Sequence, residues 1–275
     1  METFINLKKF VQEAGKFSLE KRDARHEQTF KGHENKASYL VTEVDLAVSR
    51  MFEDFLAENY AHLNYMIIDE ETISGLDGCI FEKIKETDYQ FVIHPIDGTV
   101  NYAAGIPLYG ISVAVMKNGR MLEGYLYAPA LGELLYTNGR SVWLEKDGKM
   151  QIIPGNVKSC SRVLMAHAWV VNAQKPDAFV WQDYFSAVIY FLFIALGRVR
   201  GAILWANLWD IAAGMAIVKV LGMGLYDCRT GEEIDCFSEK WFTPECKVKQ
   251  PYVISFKDDF DVIMNAAGLT TSRDV

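Results

Sequence analysis

Acidic side chains follow several of the predicted strands, close to the points where those strands end. Glu70 comes after the apolar run 63–68, Asp97 follows the run 90–93, and Asp210 opens a predicted helix after a third strand. Ligands collect at strand ends in layered α/β proteins, and hard cations such as Mg²⁺ take oxygen ligands. The pattern therefore predicts a divalent-metal site built from Glu70, Asp97 and Asp210, of the kind that acts on phosphate esters.

The segment from His94 to Thr99 is the most informative part of this pattern. Pro95 fixes its own φ and keeps the preceding residue extended. Gly98 lets the backbone approach a ligand closely. If a helix begins near Thr99, its free N–H groups would face a phosphate, and the Thr99 hydroxyl could orient a water molecule.

Two amphipathic helices are predicted before this segment. The first is indicated by a single apolar stripe, which comprises Phe4, Leu7, Val11, Ala14 and Phe17. The second shows apolar residues at helical spacing, namely Val44, Val48, Met51, Phe52, Phe55 and Leu56. The polar stretch 33–38 between them is predicted to be a loop.

The middle of the chain predicts an antiparallel meander, because turn signals at 117–120, at Asn138-Gly139 and at Asp147-Gly148 separate apolar runs. After it come an apolar helix at 184–196, a short strand near 200–204 and a helix over about 210–221. Strands mixed with long helices in this order predict a layered α/β or α+β domain. One domain over 1–275 is expected. A division into subdomains of about 1–180 and 181–275 stays open, because no composition shift marks a boundary.

Composition restricts the partners and the compartment. The net charge of −8 gives no reason to expect binding to nucleic acid or to an anionic membrane surface. Five cysteines without a CxxC pair argue against a disulfide framework and favour a reducing compartment. The most apolar run, Tyr184 to Leu196, is shorter than the ~20 residues that span a bilayer. We therefore expect a soluble, cytoplasmic protein.

Three ordered motifs resemble those of the inositol monophosphatase family. They are IDEET, HPIDGTVNYAAGIPLYGISVAV and LWDIAAGMAIVKVLG, and the earlier segment SYLVTEVD is also similar to a family stretch. The resemblance covers most of the chain. It implies a layered αβαβα sandwich, Mg²⁺-dependent hydrolysis of phosphomonoesters by a metal-activated water, and a homodimer.

The resemblance also implies roles for individual residues. The metal ligands would be Glu70, His94, the carbonyl of Ile96, Asp97 and Asp210. Thr99 would assist Glu70 in activating the water, and Asp45 would support Thr99. The substrate would be contacted by Gly98, Thr99, Ser186, Ala187 and Asp210.

Two positions depart from the family pattern. His94 replaces an aspartate that bridges two metals, and a neutral imidazole binds one metal and brings no charge. This replacement should weaken Mg²⁺ binding and favour Mn²⁺ or Zn²⁺, which accept nitrogen readily. Ile203 and Leu204 stand where many members have a glutamate that grips a sugar hydroxyl, with Asn207 as a partial substitute.

Two functions remain open on the sequence. The first is a metal-dependent phosphatase for an inositol, sugar or nucleotide phosphate. The second is a catalytically weakened or inactive relative that binds a phosphorylated ligand or a protein partner. If His94 is a metal ligand it must be neutral, so we expect metal affinity to fall below a pH of roughly 6.5.

Overall fold

Two β-sheets alternate with helices in the computed structural model, which describes residues 4–22, 28–30, 40–73, 79–166 and 179–271. The larger sheet has seven strands in the order β3-β4-β5-β6-β7-β8-β9. Only β3 and β4 are parallel, and the remaining pairs are antiparallel. The strands are β3 (Tyr65–Asp69), β4 (Tyr89–Asp97), β5 (Gly110–Lys117), β6 (Arg120–Ala128), β7 (Glu133–Thr137), β8 (Val142–Lys146) and β9 (Lys149–Ile153).

The smaller sheet has five strands in the order β11-β10-β12-β14-β13. Strand β10 is parallel to both of its neighbours, and the other pairs are antiparallel. Its strands are β10 (Val163–Ala166), β11 (Val180–Gln182), β12 (Gly201–Leu204), β13 (Gly224–Asp227) and β14 (Tyr252–Ser255). A separate antiparallel pair is formed by β1 (Gln28–Phe30) and β2 (Leu40–Thr42).

The helices pack between and outside the sheets in three apolar cores. Within the described residues they are α1 (Asn6–Arg22), α2 (Glu43–Tyr60), α3 (Ile80–Glu86), α4 (Thr99–Ala103), α5 (Ala187–Ala195), α6 (Leu208–Val220) and α7 (Phe260–Ala266). One core joins α1 and α2 to the large sheet, a second places α5 and α6 between the sheets, and a third joins α7 to the small sheet. The layers therefore follow the predicted αβαβα order.

Most of the predicted elements are confirmed, with shifts at their ends. The meander is present as β4 to β9. Both amphipathic helices bury most of the predicted stripes, and only Phe17, Met51 and Phe55 are partly exposed. The apolar helix begins only at Ala187, because Ser186 is its N-cap and accepts a hydrogen bond from the backbone N–H of Ile189. Helix α6 begins earlier than predicted, at Leu208, because Asn207 caps it. The predicted loop at 33–38 lies outside the described residues, and the subdomain division stays a prediction.

The apolar run at 184–196 is a core element. Helix α5 buries seven of its nine residues between the two sheets. No helix in the described ranges is long and apolar enough to cross a membrane.

Gly214 allows α5 and α6 to pack closely, and we expect Gly214→Ala to lower the free energy of unfolding. A Cβ at this position would lie 2.3–2.4 Å from three ring atoms of Phe191, which is fully buried. Overpacking of this kind costs about 2 kcal/mol. Urea denaturation measures the change. Lys219→Ala, at an exposed position on the same helix, is the control and should change stability by less than about 0.5 kcal/mol. Equal stability of Gly214→Ala and the native chain would contradict this packing.

Candidate active site

The parallel pairing of β3 with β4 brings Glu70 beside His94. Asp69 at the end of β3 lies opposite Ile93 on β4, so the next residues along the two strands are neighbours. His94 Nε2 lies 2.5 Å from Glu70 Oε2. The imidazole is buried, and the Glu70 side chain is 20% exposed. The contact therefore joins the residue that follows β3 to a residue within β4.

A β-bulge in β4 brings Asp97 into the same cluster. His94 pairs with Ser112 on β5, whereas Asp97 pairs with Gly110, so β4 carries one extra residue between them. Residues three apart on a regular strand face opposite sides of a sheet. The extra residue of a bulge brings the two side chains back to the same side. As a result, His94 Nδ1 lies 3.5 Å from Asp97 Oδ1. Pro95, which has no N–H to donate, lies within the bulge. The prediction that Asp97 follows the end of the strand was wrong, because β4 continues through it.

Asp210 reaches the cluster from α6. Its Oδ1 lies 3.0 Å from His94 Nδ1. Its other oxygen accepts a hydrogen bond of 2.7 Å from the backbone N–H of Asn207, the N-cap residue of the helix. This second contact fixes the carboxylate at the helix N-terminus, where the helix dipole favours negative charge. Asp210 therefore has two roles, one in the cap and one in the cluster.

His94 is the centre of the cluster, with one carboxylate at one ring nitrogen and two at the other. Burial by itself lowers the pKa of an imidazole, but Glu70 and Asp210 outweigh it and hold the pKa of His94 well above 6.5. The two carboxylates therefore favour the protonated imidazole, whose charge offsets part of the negative charge around it.

The Asp97 carboxylate is held on its far side by α5. The Ser186 hydroxyl and the backbone N–H of Val188, at 2.6 Å, both donate to Asp97 Oδ2. Burial raises the pKa of Asp97 to about 6, although His94 and these two hydrogen bonds lower it. Asp97 Oδ1 remains directed toward His94. The contact from Ser186 agrees with its predicted place near the site, and Ala187 is the first residue of α5.

The cluster has the donor set and the dimensions for a divalent cation. One ligand atom from each of His94, Asp97 and Asp210 lies within 4.8 Å of the other two. Two carboxylates and an imidazole form a mixed oxygen and nitrogen set, which suits Mn²⁺ or Zn²⁺ and is less typical of Mg²⁺. The residues therefore fit one ion. His94 has no carboxylate, so it cannot bridge to a second ion.

The turn after β4 has the predicted form. Helix α4 begins at Thr99, and Gly98 adopts φ +82. A Cβ on Gly98 would lie 3.0 Å from Ser186 Cβ and 3.1 Å from the carbonyl oxygen of Leu108. This crowding adds to the strain that the positive φ would impose on any other residue. The Thr99 hydroxyl donates to the Ile96 carbonyl oxygen at 3.0 Å.

Other predicted residues have different surroundings. Asp45 is buried on α2, and its predicted support of Thr99 stays a prediction. Ile203 and Leu204 on β12 are buried in apolar cores, so these positions offer a sugar hydroxyl no polar partner. Asn207 is the N-cap of α6. The roles of all these residues in catalysis and in binding stay predictions.

Sequence reasoning missed one contributor to the site and one backbone conformation beside it. The backbone N–H of Val188 holds Asp97, and no side-chain pattern signals a backbone donor from a helix that is 91 residues away. Phe185 adopts φ +52 immediately before Ser186. A positive φ is predicted from sequence mainly where glycine occurs, so it could not be predicted at a phenylalanine.

The pH dependence of metal binding should differ from the dependence expected on the sequence. A metal must displace the proton of His94, and the pKa of that imidazole lies well above 6.5 in the metal-free protein. Protonation of Asp97, with a pKa of about 6, acts in the same direction. We therefore expect Mn²⁺ affinity to rise as the pH is raised through neutrality. On acidification, the loss of affinity should begin above pH 6.5 and not below it. Calorimetric titration between pH 5 and 8.5 measures it, and a flat profile would show that His94 is not a ligand.

Comparison with known proteins agrees with the geometry. The sequence profile described as the inositol monophosphatase family matches residues 2–250. The fructose-1,6-bisphosphatase/inositol-1-monophosphatase of Thermotoga maritima is 31% identical over 211 residues, covering 74% of this chain and 76% of that protein. The Nus factor SuhB of Haemophilus influenzae is 30% identical over 219 residues, with 74% and 76% covered.

A solved structure has the same fold. The IMPase/NADP phosphatase complexed with NADP and Ca²⁺ superposes with a TM-score of 0.74 at 20% identity, and the match covers 98% of each chain.

Proposed function

Because this chain belongs to the inositol monophosphatase family, we propose that it is a divalent-metal-dependent phosphatase acting on a small phosphomonoester. The observation that carries the proposal is the convergence of Glu70, Asp97 and Asp210 around His94, from the turn after β3, from β4 and from α6. The ester would be an inositol, sugar or nucleotide phosphate.

The ion would be held by Asp97, Asp210 and His94, with Glu70 and the Ile96 carbonyl beside them. When bound, it would supply positive charge that offsets the charge of the phosphoryl group. Glu70, the most exposed of the four cluster side chains at 20%, would accept a proton from the attacking water. The Thr99 hydroxyl would orient that water, and the backbone N–H groups of Gly98 and Thr99 would contact the phosphate.

A panel assay tests the proposal. Phosphate release is measured from inositol, sugar and nucleotide monophosphates with Mg²⁺, Mn²⁺ or Zn²⁺, and again after chelation with EDTA. We expect release that requires metal and is higher with Mn²⁺ than with Mg²⁺, because an imidazole replaces a carboxylate. An absence of release with every ion, alongside measurable binding of an ester, would contradict the proposal.

The contact between His94 and Glu70 favours a second candidate, which is a relative with weak or no catalysis that binds a phosphorylated ligand or a protein partner. The imidazole at 2.5 Å already neutralises the carboxylate that would accept the proton. The same panel separates the two candidates, because binding without turnover is the expected result for the second.

We also expect a homodimer, as in the family. Light scattering on the purified chain gives the molar mass, and a value near 31.2 kDa at micromolar concentration would contradict it.

A further inference from the structure

A fully buried tyrosine lies at the end of the small sheet from which α6 begins. Tyr252 is the first residue of β14, and it pairs with Leu204, the last residue of β12. The chain that follows β12 leads directly to Asn207, the N-cap residue of α6, and to Asp210. The Tyr252 side chain belongs to the apolar core between the two sheets, where α5 and α6 pack. It therefore faces the helix layer that carries Asp210.

The Tyr252 hydroxyl oxygen is buried and has no hydrogen-bond partner within the ranges that the structure describes. A buried hydroxyl normally has a partner, because leaving one unpaired costs free energy. A phenylalanine would fill the same space without this cost. The hydroxyl at this position therefore calls for a partner that it contacts in another state of the protein.

The charged groups that act on Tyr252 indicate where such a partner lies. Burial raises the pKa of Tyr252 well above 10, and the Asp210 carboxylate is the charged group that contributes most, ahead of Cys228 and Asp97. The phenol therefore keeps its proton and remains a hydrogen-bond donor. Both carboxylates lie close enough to oppose its ionisation, and a carboxylate is the acceptor that a phenol donates to most strongly.

Of these two carboxylates, Asp210 has more capacity for a further hydrogen bond. Asp97 Oδ2 already accepts two hydrogen bonds from the start of α5. Asp210 Oδ2 accepts one, from the backbone N–H of Asn207, and Asp210 Oδ1 lies 3.0 Å from His94 Nδ1. An ion held by both His94 and Asp210 replaces that contact between them. Carboxylates that bind a metal are usually held in turn by hydrogen bonds from neighbouring residues.

We propose that Tyr252 is a positioning residue of the metal site, whose hydroxyl donates a hydrogen bond to the Asp210 carboxylate when a divalent ion is bound. The inference deepens the proposed function and rests on it, since it takes Asp210 as a metal ligand. The hydrogen bond holds Asp210 in the orientation that binds the ion. The hydroxyl therefore stabilises the metal-bound form and contributes nothing to the metal-free form.

Calorimetric titration of Tyr252→Phe with Mn²⁺ tests the proposal, because this variant removes only the hydroxyl. We expect Mn²⁺ affinity to fall about tenfold, as is typical when a metal ligand loses its hydrogen-bond partner. The Mn²⁺ concentration that gives half of the maximal rate should rise by the same factor, whereas kcat at saturating Mn²⁺ should change less than about threefold. Tyr226→Phe makes the same change on the neighbouring strand β13, in the core on the other side of the sheet, and should leave the affinity unchanged.

Stability without metal distinguishes this role from a structural one. In EDTA, the melting temperature of Tyr252→Phe should equal or exceed that of the native chain, because an unpaired buried hydroxyl is removed. Mn²⁺ should raise the melting temperature of the native chain more than that of the variant. A melting temperature of the variant in EDTA about 4 °C or more below the native value would show that the hydroxyl is paired without metal, and would overturn the proposal.

The outcomes for metal binding and for turnover separate this inference from the proposed function. Equal Mn²⁺ affinity of Tyr252→Phe and the native chain, alongside phosphate release by both, would overturn the inference and leave the phosphatase in place. Weaker Mn²⁺ binding by Tyr252→Phe, without release of phosphate by the native chain, would support the inference and contradict the phosphatase. An absence of Mn²⁺ binding to the native chain would overturn both.

Discussion

The His94→Asp variant is expected to hydrolyse phosphate esters with Mg²⁺ at least about tenfold faster than the native chain, equivalent to about 1.4 kcal/mol of barrier. The native imidazole contacts Glu70 on one side and Asp210 on the other at 2.5 and 3.0 Å, so it competes with a metal for both carboxylates. An aspartate removes that competition and adds an oxygen ligand, which Mg²⁺ prefers to nitrogen. Steady-state rates with saturating Mg²⁺ measure the effect.

A second measurement shows whether the gain comes through the metal. Four carboxylates without a counterion repel one another, so the melting temperature of His94→Asp should depend on Mg²⁺ more strongly than that of the native chain. His62→Asp makes the same change of residue type at an exposed position and should leave activity unaltered. Equal or lower activity of His94→Asp with Mg²⁺ would show that the histidine does not limit catalysis.

Asp210→Asn is expected to lower metal-dependent turnover by about a thousandfold, or about 4 kcal/mol. The carboxylate of Asp210 is a predicted metal ligand, and it is 3.0 Å from His94 Nδ1. An asparagine keeps the shape of the side chain and an oxygen that can accept the hydrogen bond from the Asn207 backbone. The variant therefore removes the charge while it retains the cap of α6. Rates under single-turnover and steady-state conditions measure the loss.

Two controls show whether structural damage accounts for a loss of activity in Asp210→Asn. The free energy of unfolding of Asp210→Asn should stay within about 1 kcal/mol of the native value, because the capping hydrogen bond persists. Asp261→Asn changes an exposed acid in the first turn of α7, and we expect native activity from it. Turnover of Asp210→Asn within tenfold of the native rate would remove Asp210 from the proposed set of metal ligands.

The fold class followed from the sequence because its signals are local. The stripe on α1, the helical spacing on α2 and the turn residues between the strands of the meander each depend on neighbours within a few positions. The αβαβα order came from a resemblance in three motifs and is confirmed. The same motifs indicated Glu70, Asp97 and Asp210 as partners, and the structure brings all three to His94.

The contacts inside the site were decided by tertiary structure. The extra residue in β4 turns Asp97 toward His94, and the start of α5 at Ala187 places the Val188 N–H on Asp97. Sequence alone identified His94 as the departure from the family pattern. Its raised pKa follows from the carboxylates of Glu70 and Asp210, which only the packing of β3, β4 and α6 brings within 3.0 Å of one imidazole.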